Sequence, residues 1–198
     1  HQEYTAQIPF SDFKVFDFIC QNVPKNSQLQ VSNSSAIRYL QLFDLDKSIQ
    51  VFCNRGTSGI DGSTSTAIGA ALATNLPTIL ITGDISFLYD SNALWNNYIP
   101  KNFKIILLNN SGGGIFRILP GHQETETFNR YFETSHQLNA SHLAKMYGFD
   151  YFEANDEATL QQQYKSFLNQ NEKPSILEIF TPEKENNGIL LEFFRGLK

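Results

Sequence analysis

The sequence is poor in cysteine, methionine, tryptophan and charge. Two cysteines, Cys20 and Cys53, stand among 198 residues, too few for a disulfide framework or a metal cluster. A reducing, cytoplasmic setting is the expectation that follows. A basic surplus is also missing: 15 Lys and Arg face 20 Asp and Glu, for a formal net charge of −5. Nucleic-acid binders carry a basic face and membrane-surface proteins a polybasic one, so neither class is expected. No apolar run approaches the roughly 18 residues of a membrane helix. Residues 1–10 show no basic stretch leading into an apolar one, so no signal peptide is read there. Internal repeats, low-complexity tracts and charge runs are absent as well. The chain starts at His1 and its only methionine is Met146, so we expect a processed chain or a piece of a longer one.

What is present is apolar. Hydrophobic residues make up 41% and phenylalanine alone contributes 17, ample for a packed core. Residues 1–27 read as a leading linker or helix, with an amphipathic helix over 13–22 from the spacing of Phe13, Phe16, Ile19 and Cys20. Strands are expected over 29–31, 49–53, 78–82, 104–108, 149–152 and 175–180. Between them lie helical stretches: a stripe of Ile37, Leu40 and Phe43 capped by Asn33, Ser34 or Ser35, then 61–73, 85–97, 138–147 and 158–168. The runs TILIT and KIILL are apolar throughout, as strands buried on both faces are. This alternation predicts a single three-layer α/β/α domain on a six-stranded, mainly parallel sheet. In such a sheet the strand-to-helix loops leave from the carboxyl edge, where ligands bind. Four loops should meet there, 32–35, 54–60, 83–86 and 109–116, each rich in Gly, Ser, Asn or Asp.

Two of these loops carry a recognisable pairing. Asp84 and Asn110 lie 26 residues apart, the length of a strand end, a helix and a returning strand. A carboxylate, an amide oxygen and a nearby backbone carbonyl make an all-oxygen shell suited to a hard cation such as Mg²⁺. Ser86 lies at a helix start, where free N–H groups favour a phosphate, and Gly112, Gly113 and Gly114 allow close backbone approach. Each half also reads as plain structure: Asp84 as a helix cap, the asparagine–glycine run as a loop. Other chemistries fit poorly. Four histidines, at 1, 122, 136 and 142, lack metal spacing. Gly56–Gly59 only partly resembles a nucleophile elbow, and a Gly-Lys-Ser/Thr phosphate loop is missing.

The pairing of Gly83-Asp84 with Asn109-Asn110 resembles the diphosphate–metal motif of thiamine diphosphate (ThDP) enzymes. Four longer runs, SNSSAIR (32–38), NRGTSGIDGSTSTAIG (54–69), GDISFLYDSNAL (83–94) and NNSGGGIFRILPG (109–121), are similar to the SEPHCHC synthase subfamily, which acts in menaquinone biosynthesis (2-succinyl-5-enolpyruvyl-6-hydroxy-3-cyclohexene-1-carboxylate synthases). In ThDP enzymes generally a glycine follows Gly-Asp; here Ile85 stands there, as an apolar residue does in that subfamily. The resemblance implies a diphosphate-binding domain with Asp84, Asn110 and the Gly112 carbonyl as ligands of Mg²⁺ or Mn²⁺. It implies ThDP lined by Ser34, Gly83, Ile85 and Ser86, with Ile60 wedged beneath it and Ile115 and Phe116 beside the reacting carbons. Arg38 and Arg55 match arginines that hold substrate carboxylates. The implied reaction decarboxylates 2-oxoglutarate and joins its succinyl semialdehyde unit to isochorismate, giving SEPHCHC and CO₂. Implied too is an upstream pyrimidine-binding domain, in this or a second subunit, supplying a catalytic glutamate to a homodimer or homotetramer. A ThDP-binding module of another decarboxylase or acetolactate-synthase-like enzyme, and a binding domain without turnover, remain alternatives. Read from residues alone, Ile60, Ile115 and Phe116 could also be ordinary core, and Arg38 reads as a solvated helix side chain. Residues 122–137 read either as a lid over the site or as an exposed amphipathic helix with Phe128, Tyr131 and Phe132 turned inward.

Overall fold

In the computed structural model, which describes residues 2–119 and 121–197, six strands form one sheet in the order β2-β1-β3-β4-β6-β5. The strands are β1 (Gln28–Val31), β2 (Gln50–Cys53), β3 (Thr78–Gly83), β4 (Lys104–Asn109), β5 (Asp150–Ala154) and β6 (Ser175–Phe180). All five pairings are parallel, so the sheet is parallel throughout its described residues.

Alternation along the central strands divides the core in two. Ile79, Ile81, Ile106, Leu108, Leu177 and Ile179 pack on one face. Leu80, Ile105, Leu107 and Ile176 pack on the other. The period of two in side-chain direction makes this division automatic. The first face is covered by α2 (Asp12–Asn22), α3 (Ser35–Leu40), α7 (Glu157–Asn169) and α8 (Asn186–Gly196). The second is covered by α4 (Ser63–Leu72), α5 (Asp84–Tyr89) and α6 (Ser141–Tyr147). These are the three layers expected from the alternating pattern. Residues 1–27 hold α1 (Gln2–Gln7) and α2; Phe13, Val15, Phe16 and Ile19 of α2 lie fully inside the core, so this stretch is part of the packing rather than a tether.

Several boundaries differ from the sequence reading. The helix expected over 85–97 stops at Tyr89 and resumes as a 3₁₀ turn, Ser91–Trp95. The break falls at Asp90, whose buried carboxylate accepts bonds from the Ser65 backbone N–H (2.7 Å) and hydroxyl (2.7 Å) of α4. Helix α6 begins at Ser141 rather than at 138, because Leu138 and Ala140 give their backbone groups to Asn109 and Glu178. Helix α3 ends at Leu40, short of Phe43, and Ser34 precedes it without a side-chain cap. Asn33 is spent elsewhere, donating its amide to the Ser58 carbonyl. Helix α8 has no counterpart in the sequence reading, although Ile189, Leu190 and Phe193 bury one face of it.

The strand order places a reversal beside β1: the chain steps to β2 on one side and to β3 on the other. Loops leaving such neighbours part in opposite directions and open a crevice at the carboxyl edge.

Candidate functional site

A cavity of about 240 Å³ occupies that crevice. Its walls come from the loop after β1 (Asn33, Ser34, Ser35), the β3–α5 junction (Gly83, Asp84, Ile85, Ser86), and the turn after β4 (Asn110, Gly112–Ile115 and Phe116). Ile60 joins from the 54–62 loop. The Ser86 hydroxyl donates to the Ile60 carbonyl at 2.5 Å, tying that loop to the start of α5.

One end of the cavity is polar and preorganised. Asp84 is buried, and its carboxylate accepts from the N–H of Ile85 (2.7 Å, to Oδ1) and from the N–H of Gly112 (2.9 Å, to Oδ2). An ionised carboxylate offers about four lone-pair sites, so capacity remains beyond these two bonds and the His136 contact at 3.3 Å. Asn110 donates its Nδ2 to Asp12 Oδ2 at 3.0 Å. That leaves the amide oxygen of Asn110 without a hydrogen-bond partner among the described residues. A carboxylate with spare lone pairs, a free amide oxygen and the Gly112 carbonyl are hard oxygen donors, the set a Mg²⁺-like cation takes. This donor chemistry fits the cation that the motif implies.

Gly112 is required for geometric reasons. Its φ is +154°, and a Cβ there would meet the Glu133 carbonyl oxygen at 2.8 Å. Gly112→Ala is therefore expected to destabilise the fold by about 1–3 kcal/mol from backbone strain, with the overlap adding to it. Gly69→Ala, on an exposed turn of α4 where a Cβ meets nothing within 4 Å, should change stability in the opposite direction by up to about 1 kcal/mol. Thermal melts of the two variants check this difference in sign.

Two residues given no role in the sequence analysis matter here, Asp12 on the cavity wall and His136 against Asp84. Asp12, at the first turn of α2, lines the cavity 3% exposed. Burial pushes its carboxyl up to about 6, against the bonds from Thr181 and Asn110. His136 Nε2 lies 3.3 Å from Asp84 Oδ2. Its Nδ1 accepts from the Leu138 N–H at 3.1 Å, so the neutral imidazole carries its proton on Nε2. The adjacent Asp84 carboxylate holds the His136 pKa above its ordinary value. Neither residue falls in a motif, and Asp12 is 98 positions from its partner Asn110.

Residues 122–137 fold against the glycine turn. A π-helical turn, Phe128–Glu133, brings Tyr131, Phe132, Glu133 and Thr134 to the cavity. Phe132 meets Phe116 edge-on at 5.9 Å between ring centres. Tyr131 and Phe132 are exposed, so the alternative with all three aromatics turned inward does not hold; only Phe128 is half-buried. The segment is clamped by Arg117, which makes a two-bond contact with Glu133, and by the Glu133 carbonyl, which accepts the Gly113 N–H at 2.6 Å.

The two candidate arginines are not on the wall of the main cavity. Arg38 borders a small neighbouring cleft with Asp12, Ser35, Asn110 and Ile115. It donates one N–H to the Ser34 carbonyl at 2.7 Å. Arg55 donates to the Asn33 amide oxygen at 2.6 Å. Both lie near Cys53: burial raises the pKa of its thiol, and the two guanidinium charges oppose that rise. Each arginine has five N–H donors, so both retain free ones.

The sequence matches the family model for thiamine pyrophosphate enzymes, C-terminal TPP binding domain, over residues 33–179. The chain belongs to this family. Thiamine pyrophosphate is ThDP under its other name. Curated relatives are named 2-succinyl-5-enolpyruvyl-6-hydroxy-3-cyclohexene-1-carboxylate synthase. The Flavobacterium johnsoniae protein is 65% identical over 99% of this chain and 35% of its own length. The Christiangramia forsetii protein is 57% identical over 100% and 34%, and one from Bacteroides fragilis 41% identical over 97% and 35%. The chain thus spans about a third of the length of these relatives. The crystal structure of benzoylformate decarboxylase from Polynucleobacter necessarius superposes with a TM-score of 0.69, covering 91% of this chain and 34% of that one. At 18% identity this likeness concerns the fold of the TPP-binding family alone. No helix among the described residues is long and apolar enough to cross a membrane.

Proposed function

We propose that this chain is the diphosphate-binding domain of a ThDP-dependent carboligase of menaquinone biosynthesis. The reaction decarboxylates 2-oxoglutarate and adds the resulting succinyl semialdehyde unit to isochorismate, giving SEPHCHC and CO₂. The observation that carries the reading is the convergence of Asp84, the unpartnered oxygen of Asn110 and Gly112 at one end of a cavity whose apolar wall includes Ile60, Ile85, Ile115 and Phe116. The similarity to synthases of that name over nearly the whole chain supports the substrate choice. The working assembly is read as a cytoplasmic homodimer or homotetramer, with a pyrimidine-binding domain of the same or a second subunit closing the site.

In this reading Asp84, Asn110 and the Gly112 carbonyl hold Mg²⁺ or Mn²⁺, and Ser34, Gly83, Ile85 and Ser86 line the cofactor. ThDP, when bound, supplies the electron sink for breaking and making the carbon–carbon bonds. The protein's share is position and polarity. Ile60 offers an apolar surface beneath the cofactor, where a polar group would be left unsatisfied. Ile115 and Phe116 keep water from the reacting carbons. Arg38 and Arg55 stand at the edge of the site with N–H groups free for carboxylates. An arginine makes a planar two-bond contact that lysine cannot copy.

The test is steady-state carboligation by the intact protein with 2-oxoglutarate and isochorismate. Charged hydrogen bonds contribute about 1.5–3 kcal/mol each, so Arg38→Ala and Arg55→Ala should each lower kcat/KM roughly 10- to 100-fold for one substrate. ThDP affinity and the thermal melt should stay near wild type, and lysine should rescue poorly. Unchanged kinetics with a lowered melt would assign the arginines to the sheet edge alone.

A further inference from the structure

An asparagine side chain is nearly symmetric in shape. Its hydrogen-bond partners decide which end is oxygen and which is nitrogen. At Asn110 that decision is made by one side chain on a distant element. Asp12 is an ionisable acceptor held at the first turn of α2, and it receives the Asn110 Nδ2 at 3.0 Å. A carboxylate can only accept, so the opposite orientation would set the amide oxygen against the carboxylate oxygen.

Asp12 is itself fixed from two further sides. Its Oδ1 accepts the Thr181 hydroxyl at 2.6 Å. Its backbone N–H donates to Asn186 Oδ1 at 2.8 Å. Asn186 is oriented in turn by donating its Nδ2 to the Pro182 carbonyl at 2.7 Å. Asp12, Thr181 and Asn186 are all buried, so these bonds form without competition from water. The result is a chain from the start of α8, through the end of β6 and the start of α2, to the turn after β4. Thr181 and Asn110 both donate to the Asp12 carboxylate, the Asp12 backbone N–H donates to Asn186, and Asn110 is left with a free oxygen.

We propose that Asp12 is a positioning residue that locks the Asn110 amide with its oxygen available to the cation. The inference rests on the reading that Asn110 ligates that cation. Asp12 does not touch the cofactor chemistry in this assignment; it acts through Asn110. Loss of partners behind a metal ligand typically costs about 10–100-fold in metal affinity.

Calorimetric titration of ThDP into the intact protein, at graded Mg²⁺ and Mn²⁺, tests this. Asp12→Ala should raise the cation concentration required by tenfold or more. Asp12→Asn keeps the side-chain size but can present either end to Asn110, so it should fold and give a smaller rise. Exchanging the pair, Asp12→Asn with Asn110→Asp, again leaves one acceptor-only partner and one amide. It should bring the cation requirement back toward wild type. Thr181→Val removes a bond to Asp12 without touching Asn110; it should lower the melt yet leave the cation requirement within about twofold.

Wild-type cation affinity in folded Asp12→Ala or Asp12→Asn would overturn the assignment. So would a Thr181→Val loss as large as that of Asp12→Ala, which would mark a general disruption. If the wild-type protein itself binds ThDP equally well without any divalent cation, the metal reading fails and this inference fails with it. A cation-dependent wild type with indifferent Asp12 variants rejects the inference alone.

Discussion

Replacing Asp84 by alanine is expected to lower cation-dependent ThDP binding by more than a hundredfold. The residue has two jobs in the structure. Its carboxylate is the one negatively charged member of the proposed ligand set, and it accepts the backbone N–H groups of Ile85 and Gly112. The first job sets the size of the effect. Loss of residues merely supporting a metal ligand already costs about 10–100-fold, and a direct charged ligand should exceed that. The second job predicts a stability cost, because a buried N–H left without a partner costs about 1–3 kcal/mol. Asp84→Asn separates the two. It retains an acceptor for one N–H and nearly the same volume, yet removes the charge, so it should recover stability more than cation affinity. Calorimetry of ThDP at graded Mg²⁺, beside a thermal melt, reads both quantities. Unchanged cation dependence in Asp84→Ala would reject the proposed metal site.

The second large effect concerns the clamp over the glycine turn. Arg117 and Glu133 are both buried, with side chains 3% and 1% exposed. The guanidinium also pairs with Glu124 and lies 5.7 Å from the centre of the Phe128 ring. Glu133 raises the Arg117 pKa further, through the bonds it accepts. Removing one partner from a buried pair strands the other charge, typically at about 3–5 kcal/mol. Arg117→Met should destabilise the chain by that amount. Replacing both charges with apolar groups should recover most of the loss, since the cost lies in the stranded charge. Chemical denaturation of Arg117→Met, Glu133→Met and the double variant measures it. Hydrogen exchange adds a local readout: the Gly113 N–H, bonded to the Glu133 carbonyl, should exchange faster in the single variant. A double variant no more stable than Arg117→Met would show that the pair does more than neutralise itself.

Much of the site was legible because it is built from short, local signals. The apolar runs of β3 and β4 mark strands buried on both faces, and the spacing of Asp84 and Asn110 places them at the ends of neighbouring strands. The structure pairs these strands in parallel, with Gly83 opposite Leu108. Ser34, Ile60, Ile85, Ser86, Ile115 and Phe116 all reach the same cavity. The break at Asp90 was only half legible. Ser91 and Asn92 weaken a helix there, but the stop comes from a carboxylate claimed by Ser65 on another helix. Arg38 lies in α3 and Arg55 in the expected 54–60 loop, both off the main cavity wall, because each spends a donor on the backbone or side chain of the loop after β1.

Local sequence pattern suffices for the three layers, the buried strands and the polar loops at one edge of the sheet. Each of these follows from residue type and period along a few consecutive positions. Which groups stand behind those loops depends instead on long-range packing. Asp12 reaches Asn110 across 98 positions, His136 meets Asp84 from beyond the glycine turn, and Arg117 pins Glu133 over Gly112. Such pairings follow from where packing brings distant side chains together in a water-excluded space. There a hydrogen bond or charge must find a partner whatever its separation along the chain.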